Sequence, residues 1–238
     1  MTTLFNKLAS GSSGNAIIYH NEILVDLGVA YKTIKPFLDT IKYLLLTHRH
    51  GDHYNISAIL RLATNYPDIV IIGNSDVIND LEEYGVENTY VINSNEWYEL
   101  GDYTIATVET VHDKPNVAYR IIKPLFENDK YIKDYKLFHA TDLRDLFDVE
   151  AIGYDAYFIE FNHDENIIAE NIAKKRAKNV FAYENNAKQF HQSNQRAYKW
   201  LKKNNTANGL IVPLHISKKN NKEEYVENYI REIQLLCK

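Results

Sequence analysis

The sequence predicts an α/β protein of two mixed β-sheets with helices on their outsides, laid down as two successive β-then-α halves. Three features of the element order carry this. Short apolar runs bounded by turn residues alternate with helix-period segments through the first third of the chain, and strand-like runs then dominate residues 89–161. Helical periodicity returns over 165–204, before one last strand and one last amphipathic segment. Such an order buries sheet faces beneath helices.

In chain order, TLFNKLAS reads as a strand, GSSGN as a Gly/Ser turn, and AIIYH and EILVDLG as a hairpin meeting at Asn21 and Glu22. YKTIKPFLDTI sets Ile34, Phe37, Leu38 and Ile41 at helical spacing, and KYLLLTH is the next strand. ISAILRLATNY reads as a helix and DIVIIG as a strand, with Ser75 placed to cap the helix DVINDLEEYG that ends at Gly85. TYVIN, YTIATVETVH, VAYRIIK, YKLFHATD and AYFIEFNHD follow as strands, and PLFENDKYIKD as an exposed polar loop between two of them. Helices over 165–204 lead through a polar turn at 201–208 to the strand GLIVPLHIS and the helix KEEYVENYIREIQLL. With no repeat period or low-complexity tract, one domain over residues 1–238 is expected.

The composition, 45% hydrophobic and 25% charged over 238 residues, is ordinarily globular. A formal charge of -5 provides no global basic field, so any nucleic acid has to be held by a local patch or through metal ions. Cys237, the one cysteine, rules out a disulfide framework within the chain. No run approaches the roughly 20 apolar residues of a membrane span, and the N-terminus lacks a basic-then-apolar leader, so a cytoplasmic chain with no membrane partner is expected. Eighteen tyrosines, with frequent Asn, Lys and Ile, fit an AT-rich genome such as that of a low-GC bacterium or its phage. That would place the chain in a bacterial or phage-infected host cytosol.

The chemistry concentrates in LTHRHGDH at 46–53, where His48, His50, Asp52 and His53 fall within six positions directly after an apolar strand. A solvated loop has no need of this spacing, whereas divalent metals accept imidazole nitrogens and carboxylate oxygens. His48 and His50 are two apart and can converge, and Gly51 lets the chain fold back, so the four can supply parts of two metal spheres. Further ligand-type residues stand at strand ends: His112 in ETVHD, Asp142 in FHATDL and His215 in VPLHIS.

THRHGDH resembles the signature of the metallo-β-lactamase superfamily, whose fold is a four-layer αββα sandwich with a one- or two-metal site. The resemblance implies two divalent metal ions, zinc foremost with manganese also compatible. One metal would take His48, His50 and His112 and the other Asp52, His53 and His215, with Asp142 bridging. Asp26 in ILVDLG would support the ligand loop by hydrogen bonding.

LASGSSGNA at 8–16, FIEFNHD at 158–164, FHQSNQRA at 190–197 and LHISKKNN at 214–221 are similar in order and spacing to WalJ (YycJ)-type exonucleases. Phage anti-Pycsar phosphodiesterases, which destroy cyclic mononucleotides, are superfamily members of similar size. The resemblance implies a dinuclear-metal phosphodiesterase using hydroxide. The negative net charge and the absence of an appended basic domain lean it toward cyclic mononucleotides. A WalJ-type exonuclease acting on DNA or RNA ends, a hydrolase of thioesters, lactones or lactams, and a non-catalytic nucleotide- or metal-binding protein are the alternatives. On this reading Asp52 and His191 are catalytic, His191 binding phosphate or protonating the leaving oxygen. His163, His191, Ser193, Asn194 and Lys218 contact substrate, and the partners are a nucleotide or nucleic-acid end and a second copy in a homodimer. Two positions depart from the pattern: Arg144 stands where a glycine usually follows the aspartate motif, and Phe190 where a glycine precedes His-x-Ser-Asn.

Overall fold

The structure, a computed structural model, describes residues 4–236, so Cys237 lies outside the described residues. The chain divides into two compact units: one runs to Glu96 and includes Lys114–Val117, and the other comprises Trp97–Asp113 and everything from Ala118.

The first unit holds a six-stranded sheet whose spatial order follows the chain: β1 (Phe5–Ala9), β2 (Ala16–Tyr19), β3 (Ile23–Val25), β4 (Tyr43–Leu45), β5 (Val70–Gly73) and β6 (Thr89–Val91). β1 to β3 pair antiparallel and β3 to β6 parallel. Parallel neighbours need a crossover between them. The helices α1 (Tyr31–Ile34), α2 (Ile56–Asn65) and α3 (Ser75–Glu83) lie in those crossovers. Ala58, Ile59 and Leu62 of α2 and Val77, Ile78 and Leu81 of α3 recur at three- and four-residue spacing and pack with Leu24, Leu44 and Ile71 in one core. Two local expectations give way here. The helix expected over 31–41 is a single turn followed by a 3-10 turn, Lys35–Phe37, because Pro36 lacks an N–H and restricts the residue before it. The cap of α3 is Asn74, whose Oδ1 accepts from the Val77 N–H at 3.0 Å, rather than Ser75.

The second unit holds another six-stranded sheet in chain order: β7 (Trp97–Leu100), β8 (Tyr103–Thr110), β9 (Asn116–Glu127), β10 (Lys130–Ala140), β11 (Ala156–Glu160) and β12 (Leu210–Leu214). β7 pairs antiparallel with β8 and β9 with β10, while β10, β11 and β12 run parallel. Four helices accompany it: α4 (Glu165–Ala177), α5 (Glu184–Phe190), α6 (Asn194–Asn204) and α7 (Glu223–Leu236). Trp200 and Leu201 of α6 and Val226 and Ile233 of α7 pack with Phe138, Tyr157 and Ile159 of the sheet. PLFENDKYIKD is not a loop. β9 and β10 run through it and turn at Asn128 and Asp129, both with positive φ (51° and 61°), the pattern of a two-residue hairpin turn. Its polarity reflects an end of the sheet that is exposed, not missing strand pairing. Among the described residues no helix is long and apolar enough to cross a membrane.

In both units the ligand-type residues follow the carboxyl ends of strands, where open α/β sheets place their sites. Asp26 follows β3, His48 follows β4, His112 follows β8, Asp142 follows β10 and His215 follows β12. The loop after β3 is pressed against the histidine loop. Leu27 N donates to His53 O at 2.9 Å and Gly28 N to Asn15 O at 2.9 Å. A Cβ on Gly28 would lie 1.7 Å from the Asp52 carbonyl oxygen and 2.7 Å from His53 N. Gly28→Ala should therefore lower stability in urea denaturation by about 1–3 kcal/mol or more. Gly51→Ala, with nothing within 4 Å of the added carbon, should stay close to wild type; equal midpoints for the two variants would refute the close approach.

Candidate metal centre

In the first unit the chain leaves β4 at a fully buried Thr47, and the next turn is organised by Asp26. Asp26 is 1% exposed and adopts a left-handed backbone, φ 59°. Its Oδ1 accepts from the Thr47 N–H at 2.8 Å and the Thr47 hydroxyl at 3.0 Å, and its Oδ2 lies 2.6 Å from His53 Nδ1. A carboxylate at that distance holds the imidazole proton on Nδ1 and leaves Nε2 as a lone pair. Asn15 reads the same tautomer, since its amide nitrogen lies 2.8 Å from His53 Nε2 and donates to the Asp52 carbonyl at 3.0 Å.

The Thr47 hydroxyl proton goes to Asp26, so its oxygen accepts from His48 Nδ1 at 3.0 Å and His48 Nε2 is left as the lone-pair nitrogen. That Nε2 lies 2.9 Å from His50 Nδ1. Two imidazole nitrogens that close are compatible only with a proton or a cation shared between them. Arg49 is withdrawn from the cluster, its guanidinium held by Asp76 at 2.8 Å and Asp80 at 2.5 Å. Asp52 keeps a partly exposed carboxylate, 3.7 Å from His53 Nε2.

In the second unit Asp142, Glu160, His191 and His215 bring donor atoms within 4.8 Å of one another. Glu160, at the end of β11, is fully buried. Its Oε1 lies 2.7 Å from His191 Nδ1 and 3.0 Å from His215 Nδ1, and its Oε2 accepts from the N–H groups of Leu143 at 3.0 Å and Gln192 at 3.2 Å. Asp142 Oδ1 lies 2.6 Å from His215 Nδ1. Both Asp142 and His215 adopt positive φ, 51° and 49°.

Burial alone would raise the Glu160 pKa, yet His191 and His215 bring it down to about 2. Burial alone would lower His215, yet Asp142 and Glu160 push it up to about 10, and His191 is raised against its burial by the same two carboxylates, Glu160 first. His215 is thus held protonated between two carboxylates, and that is the proton a divalent cation would displace. The donor set fits a metal.

Burial lowers the pKa of His112, against the opposing pull of the Asp142 and Asp113 carboxylates. Its Nδ1 faces the Phe190 carbonyl at 3.2 Å and its Nε2 the Asp113 carboxylate at 3.1 Å. Phe190 meets His112 twice, through this carbonyl and through its ring, which lies edge to face with the imidazole at 6.1 Å between centroids. Arg144 turns to its neighbour Asp145 at 2.8 Å.

The remaining residues singled out in the sequence are differently placed. Ser193 caps α6, its Oγ accepting from Arg196 N at 3.2 Å and donating to Glu165 at 2.7 Å. Asn194 exchanges amide hydrogen bonds of 2.8 Å with Asn221. His163 is 2% exposed, and burial lowers its pKa to about 4. These three are built into the interior of the unit, whereas Lys218 is exposed and His191 keeps 21% of its side chain open. Two participants escape the sequence analysis. Glu160 is signalled only by being the lone charge in the apolar run AYFIEF, and Asn15 only by ending the turn GSSGN.

Neither a protein-family model nor a curated protein sequence matches the chain. Solved structures do. The metallo-β-lactamase fold protein YhfI from Bacillus subtilis aligns with a TM-score of 0.71 at 13% identity, covering 96% of this chain and 92% of its own. The short form of human tRNase Z aligns at 0.61 with 14% identity, covering 90% and 92%. A diphosphatase from the PhnP family aligns at 0.60 with 16% identity, covering 92% and 88%. The chain has the metallo-β-lactamase fold.

Two outcomes are expected. Asp26→Asn should weaken divalent-metal binding about 10- to 100-fold in equilibrium dialysis by releasing the His53 tautomer; unchanged affinity would remove Asp26 from the centre. A folded-state pKa raised to about 10 also means that the His215 ion pairs stabilise the metal-free protein fully below the ordinary histidine pKa and fade as pH climbs through about 10. A divalent metal taken up at His215 would displace that proton, so affinity should rise from about pH 6 to about pH 8.5, with proton release seen as buffer-dependent binding heats. A pH-independent affinity would contradict the proton on His215.

Proposed function

We propose that the chain is a metal-dependent hydrolase of nucleotide phosphodiester bonds, with metal carried by His48, His50, Asp52, His53, His112, Asp142 and His215. The observation that carries this reading is the His191–Glu160 pair, 2.7 Å apart, beside Asp142 and His215. A divalent metal bound by such donors polarises a phosphoryl oxygen and brings the pKa of water toward neutrality. The chain's own residues supply what remains. Glu160 orients His191 through Nδ1 and raises its pKa, which favours the protonated form that receives an anionic phosphodiester and gives a proton to the departing oxygen. Lys218 adds a second exposed cation on the loop after β12. These cations suit a phosphodiester better than a neutral lactam, and two of the fold neighbours are by name a tRNase and a diphosphatase. The charge of -5 favours a small substrate, for which cyclic mononucleotides are the first choice and short nucleic-acid ends the second.

Zinc- or manganese-loaded protein should cleave a generic phosphodiester dye together with cyclic mononucleotides or oligonucleotides. Absence of turnover on all of them with either metal would end the enzyme reading. His50→Ala and Asp142→Ala should abolish turnover with the fold intact by circular dichroism. His191→Gln should keep its metal and lose about 10²- to 10⁴-fold in kcat; a variant as fast as wild type would take the proton-donor role from His191.

A further inference from the structure

Residues 174–188, the last turn of α4 and the run into α5, carry a feature that the hydrolytic site does not use. Val180, Phe181 and Tyr183 are 53%, 67% and 72% exposed, and the two rings sit edge to face with centroids 4.8 Å apart. Large apolar side chains gathered in this way on a surface mark a binding site. The segment carries five cations, Lys174, Lys175, Arg176, Lys178 and Lys188, against the single acid Glu184, and Lys174 is paired with Glu170 one turn earlier at 3.3 Å. Lys175 is already used: its Nζ is 2.7 Å from Glu184 and 6.0 Å from the Tyr183 ring centre. Arg176, Lys178 and Lys188 are exposed and take part in no ion pair among the described residues. The segment continues directly into α5, which ends at Phe190, and His191 is the residue that follows it.

We propose that this segment docks single-stranded nucleic acid, with unpaired bases stacking on Phe181 and Tyr183 and backbone phosphates held by Arg176, Lys178 and Lys188. Aromatic faces accept any unpaired base, while lysine and arginine beside them neutralise the phosphates that link successive bases. A duplex conceals its base faces and offers only the charge. An interface between protein copies selects against lysine, which is abundant here. As a statement about substrate the inference rests on the phosphodiesterase reading and turns it toward oligonucleotides. As a statement about binding it does not need turnover.

The test is therefore made on chelator-treated full-length protein by fluorescence anisotropy, with a labelled oligothymidylate of roughly ten nucleotides and a hairpin duplex of equal charge. The single strand should bind more tightly than the duplex. Phe181→Ala and Tyr183→Ala should each weaken it about tenfold, with unchanged melting temperatures and unchanged turnover of a small phosphodiester dye. Arg176→Glu with Lys178→Glu should flatten the dependence of log affinity on log salt by about 0.7 for each phosphate that is no longer neutralised. Equal affinity of wild type and the aromatic variants, or equal binding of single strand and duplex, would overturn the proposal. So would a sedimentation shift from dimer to monomer in Phe181→Ala with Tyr183→Ala, because a second copy would then occupy the patch. A protein that binds the single strand through these residues and cleaves nothing would leave the docking surface standing and remove the enzyme reading.

Discussion

A carboxylate removed from water is costly unless nearly all of its acceptor positions are filled, and each unit of this chain is arranged around one. Asp26 fills its oxygens with the Thr47 backbone, the Thr47 hydroxyl and His53. Glu160 fills its own with the backbone of Leu143 and Gln192 and with two imidazoles. The same pattern results in both cases: backbone donors fix the acid, and the acid fixes histidines. Ring orientation, and for His53 the tautomer, therefore follow from a buried charge on a strand end rather than from the loop that bears the histidine. Loss of either acid would strand polar partners in the interior, so stability and ligand geometry depend on the same groups.

This coupling explains which parts of the molecule could be read from the sequence. LTHRHGDH stood out because polar ligand-type residues interrupt an apolar strand, and α2 and α3 because their apolar residues repeat at the helical period. Tertiary partners were not readable. Nothing in AYFIEF says that its glutamate meets a histidine 31 positions later, and nothing in GSSGN says that Asn15 lies against a loop 37 residues on. The hairpin over 116–140 was concealed by its charged tip, since polarity there resembles lack of structure. The two left-handed turn residues, Asn128 and Asp129, were the available signal. Ser193 and Asn194 likewise have partners that the motif does not announce, the one capping a helix and the other tying two loops together.

The electrostatics are divided in the same local way. A net charge of -5 describes the chain as a whole, yet Arg49 is cancelled by Asp76 and Asp80 while the segment around Phe181 keeps its cations. Such patches, rather than the net charge, set the field that a charged molecule meets at each surface, since fields from exposed charges fade over about 10 Å at ordinary ionic strength.

Three members of the two donor networks, Asp26, Asp142 and His215, hold a backbone conformation that costs a residue with a Cβ roughly 1–2 kcal/mol. Glycine would relieve that strain at each position, and glycine alone cannot carry the carboxylate or imidazole found there. That strain is held in place by the contacts those side chains make, which a glycine would forfeit. Selection for thermal resistance and selection for ligand geometry therefore act in the same direction at these three positions, each retaining the side chain and with it the strained backbone.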